Sequence, residues 1–366
     1  MYSWEQRKLS DILVERNEQQ VETNEYPLMS FVQGHGVIPK GERYDRSFLV
    51  LDQSKKYKRT ELGDFIYSSN NLETGSIGIN KTGKAVISPV YSIFYGVSIG
   101  DSQFIGIMSL LPRFITKMIR FRQGVVYGQW RIHEKDFLDI SILIPSEAER
   151  TKITKLILSI EELITLHQRK LNNLKLKKKA LLQKLFPKNG KRYPELRFPG
   201  FTDAWEQRKL SDILKVNSGK DYKHLEQGDI PVYGTGGYML SVNESLSNID
   251  AIGIGRKGTI DKPQYLKAPF WTVDTLFYVI CKVGYDLNYL FLIFQKIRWK
   301  KFDESTGVPS LSKKTIEKVV SKFPSYEEQC AIGLYFLNLD NLINSHQEKI
   351  SQLETLKKKL LQDMFI

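Results

Sequence analysis

Two long segments of the chain repeat their seam positions with alternating spacings of four and three residues. This spacing places one narrow stripe on an α-helix and is typical of the seam of a coiled coil. In the first segment the stripe consists of Ile153, Ile157, Ile160, Ile164, His167, Leu171, Leu174, Lys178, Leu181 and Leu185. In the second it consists of Ile332, Phe336, Leu339, Ile343, His346, Ile350, Leu353, Lys357, Leu360 and Met364. We therefore predict two long helices.

The polar interruptions of the two stripes fall in register, because His167 corresponds to His346 and Lys178 to Lys357. A seam of roughly five heptads needs a partner of similar length, and each segment has the other available. At a rise of ~1.5 Å per residue each helix would be about 50 Å long. We predict an antiparallel pair with pseudo-two-fold symmetry, with both histidines near the axis and a globular domain at each end.

The head of each half is duplicated as well. Ten residues from Trp4 to Leu13 recur unchanged from Trp205 to Leu214, 201 positions later. The helical blocks Pro145 to Phe186 and Pro324 to Phe365 are offset by 179 positions and agree at 17 of 42. The segments between head and helical block therefore differ in length by 22 residues, and their sequences differ throughout. We infer shared ends that form a common frame and unlike middles that recognise different things.

Each middle is predicted to be a compact α/β domain, because short strand-like runs such as Ala85 to Tyr91 and Ile230 to Tyr233 alternate with glycine-centred turns. Phe114 to Phe121 favours a helix. The linker between the halves is rich in proline and glycine and is expected to fix the geometry. The predicted boundaries are 1–144 for the first domain, 145–186 for the first helical spacer, 187–204 for the linker, 205–323 for the second domain and 324–366 for the second spacer.

The formal net charge is +13, which attracts polyanions, and nucleic acid is the usual one. A merely solubilising surface charge accounts for the same value. The two cysteines, Cys281 and Cys330, are far apart in sequence, which excludes a disulfide framework and a Cys-based zinc site, and both are expected to be buried. No apolar run approaches the ~20 residues of a membrane span, and no apolar core follows Met1, so we expect a cytoplasmic protein.

Gly253 to Gly258 matches the G-x-G-x-x-G pattern of dinucleotide-binding loops. Such a loop must lead directly into a helix, whereas Thr259 to Pro263 does not favour one. We interpret the segment as a tight turn that exposes Arg256 and Lys257, which suit contacts with phosphate or with guanine. Plain surface exposure is the alternative interpretation.

Further candidate DNA contacts are basic, aromatic or hydroxyl residues grouped in the middles. They are Lys55, Lys56, Tyr57, Lys58, Arg59, Lys81, Lys84 and Arg131 in the first, and Lys220, Tyr222, Lys223, His224, Thr235 and Ser310 in the second. Basic residues interleaved with aromatics suit neutralisation of the DNA backbone with some base contact. A solvated loop that makes no contact with DNA has a similar composition, and this is the alternative interpretation. We interpret the lysines from Lys175 to Lys179 as solvated helix surface.

The sequence contains no phosphate-binding G-x-x-x-x-G-K-[ST] loop, no H-E-x-x-H and no G-x-S-x-G motif. The Asn-Pro-Pro-Tyr type of adenine methyltransferase motif is also missing. Its five histidines have no metal-ligand spacing. The prediction is a binding protein without catalytic residues, cofactor or metal.

These features together resemble the specificity subunit of type I restriction-modification enzymes. The resemblance rests on the duplicated Trp-Glu-Gln-Arg-Lys-Leu head, on Gly228 to Gly237, on Arg256 to Ile260, on Gly307 to Ser312, and on Pro324 to Gln329 leading into a long helix. The first half departs from the pattern where Glu147 to Arg150 replaces the usual acidic-Glu-Gln entry to the helix. The run before Trp205 also has no counterpart before Trp4, where only three residues stand.

The resemblance implies two target recognition domains, each binding one half of a split, asymmetric site in double-stranded DNA, with the helices as spacers. It also implies docking of two methylation subunits, and of motor-nuclease subunits in the restricting complex. Two domains on one rod would suit major-groove segments about one helical turn, roughly 34 Å, apart. The rival hypotheses are a coiled-coil scaffold whose basic middles bind another acidic partner and, more remotely, an enzyme with an unrecognised site.

Overall fold

Residues 4–32, 36–39, 55–72, 76–98, 100–124, 130–188 and 190–365 are described by a computed structural model. The chain divides into two units: Met1–Leu166 with Ser351–Ile366, and His167–Ile350. Both boundaries fall inside long helices, so each unit contains part of each helix. Within the described ranges, no helix is both long and apolar enough to cross a membrane.

Short strands dominate the first unit. They are β1 (Glu5–Lys8), β2 (Leu13–Glu15), β3 (Gln19–Gln20), β4 (Met29–Val32), β5 (Gly36–Pro39), β6 (Tyr57–Thr60), β7 (Phe65–Tyr67), β8 (Ile77–Ile79), β9 (Ala85–Ile87), β10 (Ser92–Gly96), β11 (Gln123–Gly124), β12 (Trp130–Arg131) and β13 (Ser141–Ile144). The helices are α1 (Asp101–Met108), α2 (Pro112–Ile119), α3 (Glu134–Leu138) and α4 (Glu147–Lys184), the last of which continues into the second unit. The helix predicted at Phe114 to Phe121 corresponds to α2.

The second unit is similarly mixed. Its strands are β14 (Glu206–Lys209), β15 (Leu214–Ser218), β16 (Gln227–Gly234), β17 (Gly237–Val242), β18 (Ala251–Gly255), β19 (Gln264–Leu266), β20 (Trp271–Thr272), β21 (Leu276–Cys281) and β22 (Val320–Phe323). Its helices are α5 (Leu210–Ile213), α6 (Leu287–Lys296), α7 (Lys313–Lys318) and α8 (Tyr326–Met364), the last of which ends in the first unit. The mixture of helix and sheet agrees with the predicted α/β class.

Both units contain a four-stranded antiparallel sheet with the same strand order. The order is β2–β10–β7–β8 in the first unit and β15–β21–β18–β19 in the second. In each unit the head strand also pairs antiparallel with the strand before the long helix, β1 with β13 and β14 with β22. Two middles with unlike sequences therefore place their loops on equivalent strands.

The aromatic ends of the repeated blocks meet in crossed fashion. In the first unit the ring centroid of Trp4 lies 5.6 Å from that of Phe365, at the end of the second block. In the second unit Trp205 lies 5.7 Å from Phe186, at the end of the first block, and both pack against Tyr289 of α6. Each repeated head is therefore closed by the helix end of the other copy.

Most of the predicted seam side chains of α4 and α8 are buried. The buried seam residues are Ile153, Ile157, Ile160, Leu171, Leu185, Ile332, Phe336, Leu339, Ile343, Ile350 and Leu353. The apolar seam residues Leu174, Leu181, Leu360 and Met364 are half-buried. Ile164 and the polar members His167, Lys178, His346 and Lys357 are half-buried. The alternating spacing of four and three residues thus marks the packed face of both helices.

Two ion pairs cross this seam at corresponding positions. In the first unit Lys357 Nζ lies 2.6 Å from Glu161 Oε1, and in the second Lys178 Nζ lies 2.7 Å from Asp340 Oδ1. The repeat offset relates Glu161 to Asp340 and Lys178 to Lys357. Burial alone would raise the pKa of Glu161, but hydrogen bonds from Lys357 and from Lys81 outweigh it and hold the pKa below its ordinary value. Within each unit these contacts belong to helix segments that run antiparallel.

The two equivalent histidines meet within the second unit. His167 Nδ1 lies 2.8 Å from His346 Nδ1, a hydrogen bond in which one ring donates and the other accepts. Burial, followed by His346 and by the neighbouring Lys170 and Lys349, lowers the pKa of His167. The hydrogen bond can form between two neutral rings, and the lowered pKa means that the folded protein disfavours the charged form of His167.

This lowered pKa predicts an acid-sensitive helix pair. The unfolded chain takes up a proton at the ordinary histidine pKa, ~6.5, whereas folded His167 takes it up only at lower pH. The contribution of His167 to the free energy of unfolding is therefore complete above pH ~6.5 and is lost as the pH falls below that value. Thermal unfolding measured between about pH 7.5 and 5 should show a larger loss in the natural chain than in His167→Gln. Equal losses in the two proteins would contradict the assignment to His167.

The two long helices begin with different contacts at equivalent residues. Arg150 of α4 donates from Nε to Asp101 Oδ1 at 2.9 Å and from Nη1 to the Pro145 carbonyl at 3.1 Å. At the same place in α8, Gln329 donates to the Pro324 carbonyl at 3.0 Å and accepts from the backbone N–H of Asp286 at 3.2 Å. The departure of the first half from the family pattern is thus compensated by an ion pair.

The linker is fixed to the start of α8 by Arg197. Its Nε and Nη2 donate to the two carboxylate oxygens of Glu328 at 2.8 and 2.6 Å, and Glu328 is almost fully buried. In the first half the corresponding Glu149 accepts instead from Trp4 Nε1 at 3.4 Å. Trp205 Nε1, the equivalent donor, has no hydrogen-bond acceptor within the described part of the chain. Arg197 therefore binds Glu328 in the second half, whereas Trp4 contacts the equivalent Glu149 in the first half.

Candidate nucleic-acid interface

Two loops of the second unit are joined by backbone hydrogen bonds that expose Arg256 and Lys257. The N–H of Gly258 donates to the Pro309 carbonyl at 2.8 Å, and the N–H of Leu311 donates to the Arg256 carbonyl at 2.9 Å. Lys257 and Ser310 face each other in this bridge. We call residues 256–258 and 309–311 the second loop pair. No helix follows Gly258, as the sequence predicted.

The conformation of this loop pair has local causes. Gly258 has a φ of +94°, a left-handed conformation that favours glycine, and a Cβ there would lie 3.7 Å from the Thr235 hydroxyl. Asp303 accepts hydrogen bonds from the backbone of Ser310 at 2.9 Å and of Ser305 at 3.0 Å. These bonds hold the pKa of Asp303 below its ordinary value. A carboxylate thus fixes the loop without neutralising its cations.

Three cations surround one end of β21. The guanidinium carbon of Arg256 lies 6.0 Å from the ring centroid of Phe277, and Lys313 Nζ lies 5.9 Å from it. Arg256 and Lys257 are exposed, and Lys313 is half-buried. Thr235 and Ser310 adjoin this group, so the structure brings together four of the candidates predicted in the second middle.

The other predicted group of this middle is attached to the same segment. The N–H of Lys220 donates to the Thr272 carbonyl at 2.8 Å, and the N–H of Arg256 donates to the Thr275 carbonyl at 2.8 Å. Lys220, Lys223 and His224 are exposed. The half-buried Tyr222 instead packs against the buried apolar cluster that includes Val232 and Val242, so its ring serves the core.

The first unit departs from the predicted basic cluster. Strand β6 alternates between faces, so Lys58 points inward, is only 7% exposed and lies 3.7 Å from Glu134. The expectation that Lys58 is available to DNA is therefore corrected by its burial. On the opposite face Arg59 is paired with Glu18 at 2.7 Å and also contacts Glu61.

The remaining cations of that group are dispersed. Lys81 Nζ lies 2.5 Å from Glu161 Oε2 of α4, and Lys84 contacts Glu25. Lys55 and Lys56 are exposed, and Lys55 Nζ lies 5.7 Å from the ring of the half-buried Tyr57. These ion pairs compete with phosphate for the same cations, so the group as a whole is a weaker candidate than the second loop pair.

Arg131 lies in a polar cleft of the first unit that Lys58 also lines. The cleft is lined by residues that sequence reasoning missed, among them Glu15, Gln19, Asn70, Trp130 and Glu134. Trp130 is 49% exposed, which is unusual for so large an apolar side chain. Periodicity gives no signal for these residues, because they come from separate strands and loops.

No metal centre accompanies either surface. Within the ranges that the structure describes, no group of three or more His, Cys, Asp or Glu side chains is arranged to hold a metal ion. Cys281 and Cys330 are partly exposed, which corrects the expectation that both are buried. Cys281 is the last residue of β21, and Cys330 lies in the first turns of α8.

Comparisons with known proteins agree with this arrangement. Residues 202–355 match the type I restriction modification DNA specificity domain. The chain is 23% identical over 270 residues to the type I restriction enzyme MjaVIII specificity subunit of Methanocaldococcus jannaschii, an alignment covering 63% of this chain and 62% of that protein. The match thus spans somewhat less than two thirds of the relative's length.

The fold is similar to a crystal structure of the type I restriction-modification system S subunit from M. genitalium. The TM-score is 0.70 with 16% sequence identity, and the superposition covers 100% of this chain and 96% of that chain. The match over residues 202–355 and the similar fold relate this chain to type I restriction-modification specificity subunits.

Proposed function

We infer that the chain is the non-catalytic DNA-specificity subunit of a type I restriction-modification complex, and that each domain recognises one half of a bipartite, asymmetric site in double-stranded DNA. The observation that carries this inference is the pairing of a shared sheet with unlike loops. A common four-stranded order supports both sets of loops, while the exposed side chains differ in chemistry. Unlike side chains on equivalent strands suit unlike half-sites.

In this proposal residues 1–144 and 205–323 are the target recognition domains, 145–186 and 324–366 are the helical spacers, and 187–204 is the linker. The spacers form two long antiparallel coiled-coil helices with pseudo-two-fold symmetry. The symmetric ion pairs of Glu161 with Lys357 and of Lys178 with Asp340 support this arrangement.

The partners proposed are double-stranded DNA, two methylation subunits docked on the shared frame and, in the restricting complex, motor-nuclease subunits. The match of residues 202–355 to the type I restriction modification DNA specificity domain supports these partners. The chain itself needs no cofactor for recognition, and we propose a cytoplasmic location, where the DNA of the cell and the other subunits are available.

Binding to random duplex DNA across a salt series tests the proposal. With about six phosphate contacts, affinity should fall about a thousandfold between roughly 50 and 200 mM salt. Lys257→Ala should lower the slope of log affinity against log salt by about one, if that lysine neutralises one phosphate. Lys135→Ala, which removes an exposed cation of the first unit that is not among the residues lining the Arg131 cleft or the second loop pair, is the matched control. Absence of salt-dependent affinity, even with the methylation subunits present, would reject DNA recognition.

A further inference from the structure

The first unit contains a loop pair equivalent to that of the second. β7 and β18 hold the same place in their sheets, and the chain leaving each strand is bonded to a segment that directly precedes a short helix, α3 or α7. In the first unit Ser69 Oγ accepts from the N–H of Ile132 at 2.9 Å, and Asn70 Oδ1 accepts from the N–H of Trp130 at 2.6 Å. We call residues 68–70 and 130–132 the first loop pair.

The two loop pairs are held together by different groups. Side chains of Ser69 and Asn70 make the bonds in the first, whereas only backbone atoms make them in the second. The location of the arginine differs accordingly. In the second pair Arg256 lies on the loop after the strand, while in the first pair Arg131 lies on the segment before the helix, opposite Ser69. The two loop pairs thus each carry an arginine, but on different segments: after the strand in the second and before the short helix in the first.

The surroundings of Arg131 favour a base edge over a phosphate. Its guanidinium lies 3.8 Å from Glu134, and Glu15 lines the same cleft. Carboxylates repel phosphate, but they accept hydrogen bonds from the exocyclic amine of cytosine. The exposed Trp130 beside Arg131 offers an apolar surface suited to a thymine methyl group. At the second loop pair, Arg256 and Lys313 lie near the Phe277 ring, and the neighbouring carboxylate of Asp303 is occupied by hydrogen bonds from the backbone of Ser305 and Ser310.

We propose that Arg131 and Trp130 are specificity-determining residues of the first recognition domain, with Arg131 binding a guanine through its major-groove edge and Ser69 and Asn70 positioning the segment. The proposal rests on the function inferred above. A guanidinium donates two parallel hydrogen bonds to guanine O6 and N7, a geometry that lysine does not reproduce. Asn70 is a positioning residue because its Oδ1 is engaged by the backbone of Trp130.

Selection from a pool of duplexes with randomised half-sites, using the full chain with its methylation subunits, tests this. Arg131→Ala and Arg131→Lys should each lose the preference for guanine at one position of one half-site, by about tenfold to a hundredfold. The other half-site should be unchanged. Asn70→Ala should weaken the base preference at several neighbouring positions of the same half-site, because it removes a hydrogen bond that holds the segment carrying Trp130 and Arg131.

The contrary outcomes are distinct. If Arg131→Ala weakens binding to all sequences equally and lowers the salt slope by about one, Arg131 contacts a phosphate and the proposal is wrong. An unchanged preference at every position also overturns it. A natural chain without any sequence preference would instead reject the underlying function. Lys135→Ala, which removes an exposed cation four residues away, should retain the complete motif, and circular dichroism of each variant checks that it is folded.

Discussion

Replacing Arg150 with alanine should destabilise the first unit by about 3–5 kcal/mol, because the change leaves a buried carboxylate without its partner. The side chains of Arg150 and Asp101 are only 10% and 4% exposed, and Arg150 Nη2 lies 2.7 Å from Asp101 Oδ1. Breaking one member of such a pair costs more than the pair contributes, since the remaining charge has lost its hydration. Hydrogen exchange measured by mass spectrometry on the full chain can locate the loss.

The amides of α1, where Asp101 lies, should exchange much faster in Arg150→Ala, while those of α6 in the second unit provide an internal reference. Arg7→Ala is the matched control, since its ion pair with Glu5 is exposed on β1 and should leave exchange in α1 unchanged. The double variant Arg150→Leu with Asp101→Leu should recover most of the protection, because it removes both charges. Unaltered exchange in α1 of Arg150→Ala would show that the pair does not hold this region.

Replacing residues 215–323 with the middle of another specificity subunit should change one half of the DNA site completely and leave the other half intact. The flanking residues 205–214 and 324–365 retain the repeated frame. The donor must keep two contacts: an aromatic residue in place of Tyr289, which packs against Phe186 and Trp205, and an N-capping residue in place of Asp286. Methylome sequencing of cells that carry the hybrid measures the outcome.

The reciprocal replacement of residues 14–144 is the control, and it should change only the other half-site. A hybrid in which Tyr289 is not matched should fail through misfolding rather than through altered specificity, which soluble yield and circular dichroism distinguish. If a folded hybrid methylates the original site, or if both half-sites change in a single replacement, modular recognition is wrong.

The repeated frame was predictable because its signal is local and duplicated. Leu9, Ile12 and Leu13 of the first head are buried, as are the identical residues Leu210, Ile213 and Leu214 of the second. The spacing of four and three residues likewise marked the packed side of the helices, and the register of His167 with His346 followed from the repeat offset. These inferences need only the order of residues along the chain.

The candidate site was harder to predict, because exposure and pairing depend on strands that are distant in sequence. Lys58 appears in a run of basic residues, yet the alternation of β6 turns it toward Glu134, which lies 76 positions further along the chain. Asn70 and Trp130 meet only because β7 ends beside the segment before α3. By contrast, the exposure of Arg256 and Lys257 was predictable from sequence, because a glycine-rich turn exposes its neighbours whatever the partner loop.

The departure at Arg150 illustrates the same limit. From sequence it is a mismatch with the usual glutamine, and nothing nearby explains it. In the structure the Arg150 guanidinium donates a hydrogen bond to the Pro145 carbonyl and also forms an ion pair with Asp101. The equivalent Gln329 bonds to the backbone of Pro324 and of Asp286. A partner 49 positions away can be identified only once the fold is known.

Each long helix carries one acid and one lysine at corresponding positions, Glu161 with Lys178 and Asp340 with Lys357, on either side of a histidine. Slipping one helix by a heptad would break both ion pairs and the histidine contact at once, so the polar residues permit a single alignment. All of them lie outside the two middles. Exchange confined to a middle therefore leaves these pairs between the helices in place. Under the proposed function, a new DNA specificity then needs only a middle that keeps its own contacts with the frame, such as that of Tyr289 with Phe186 and Trp205.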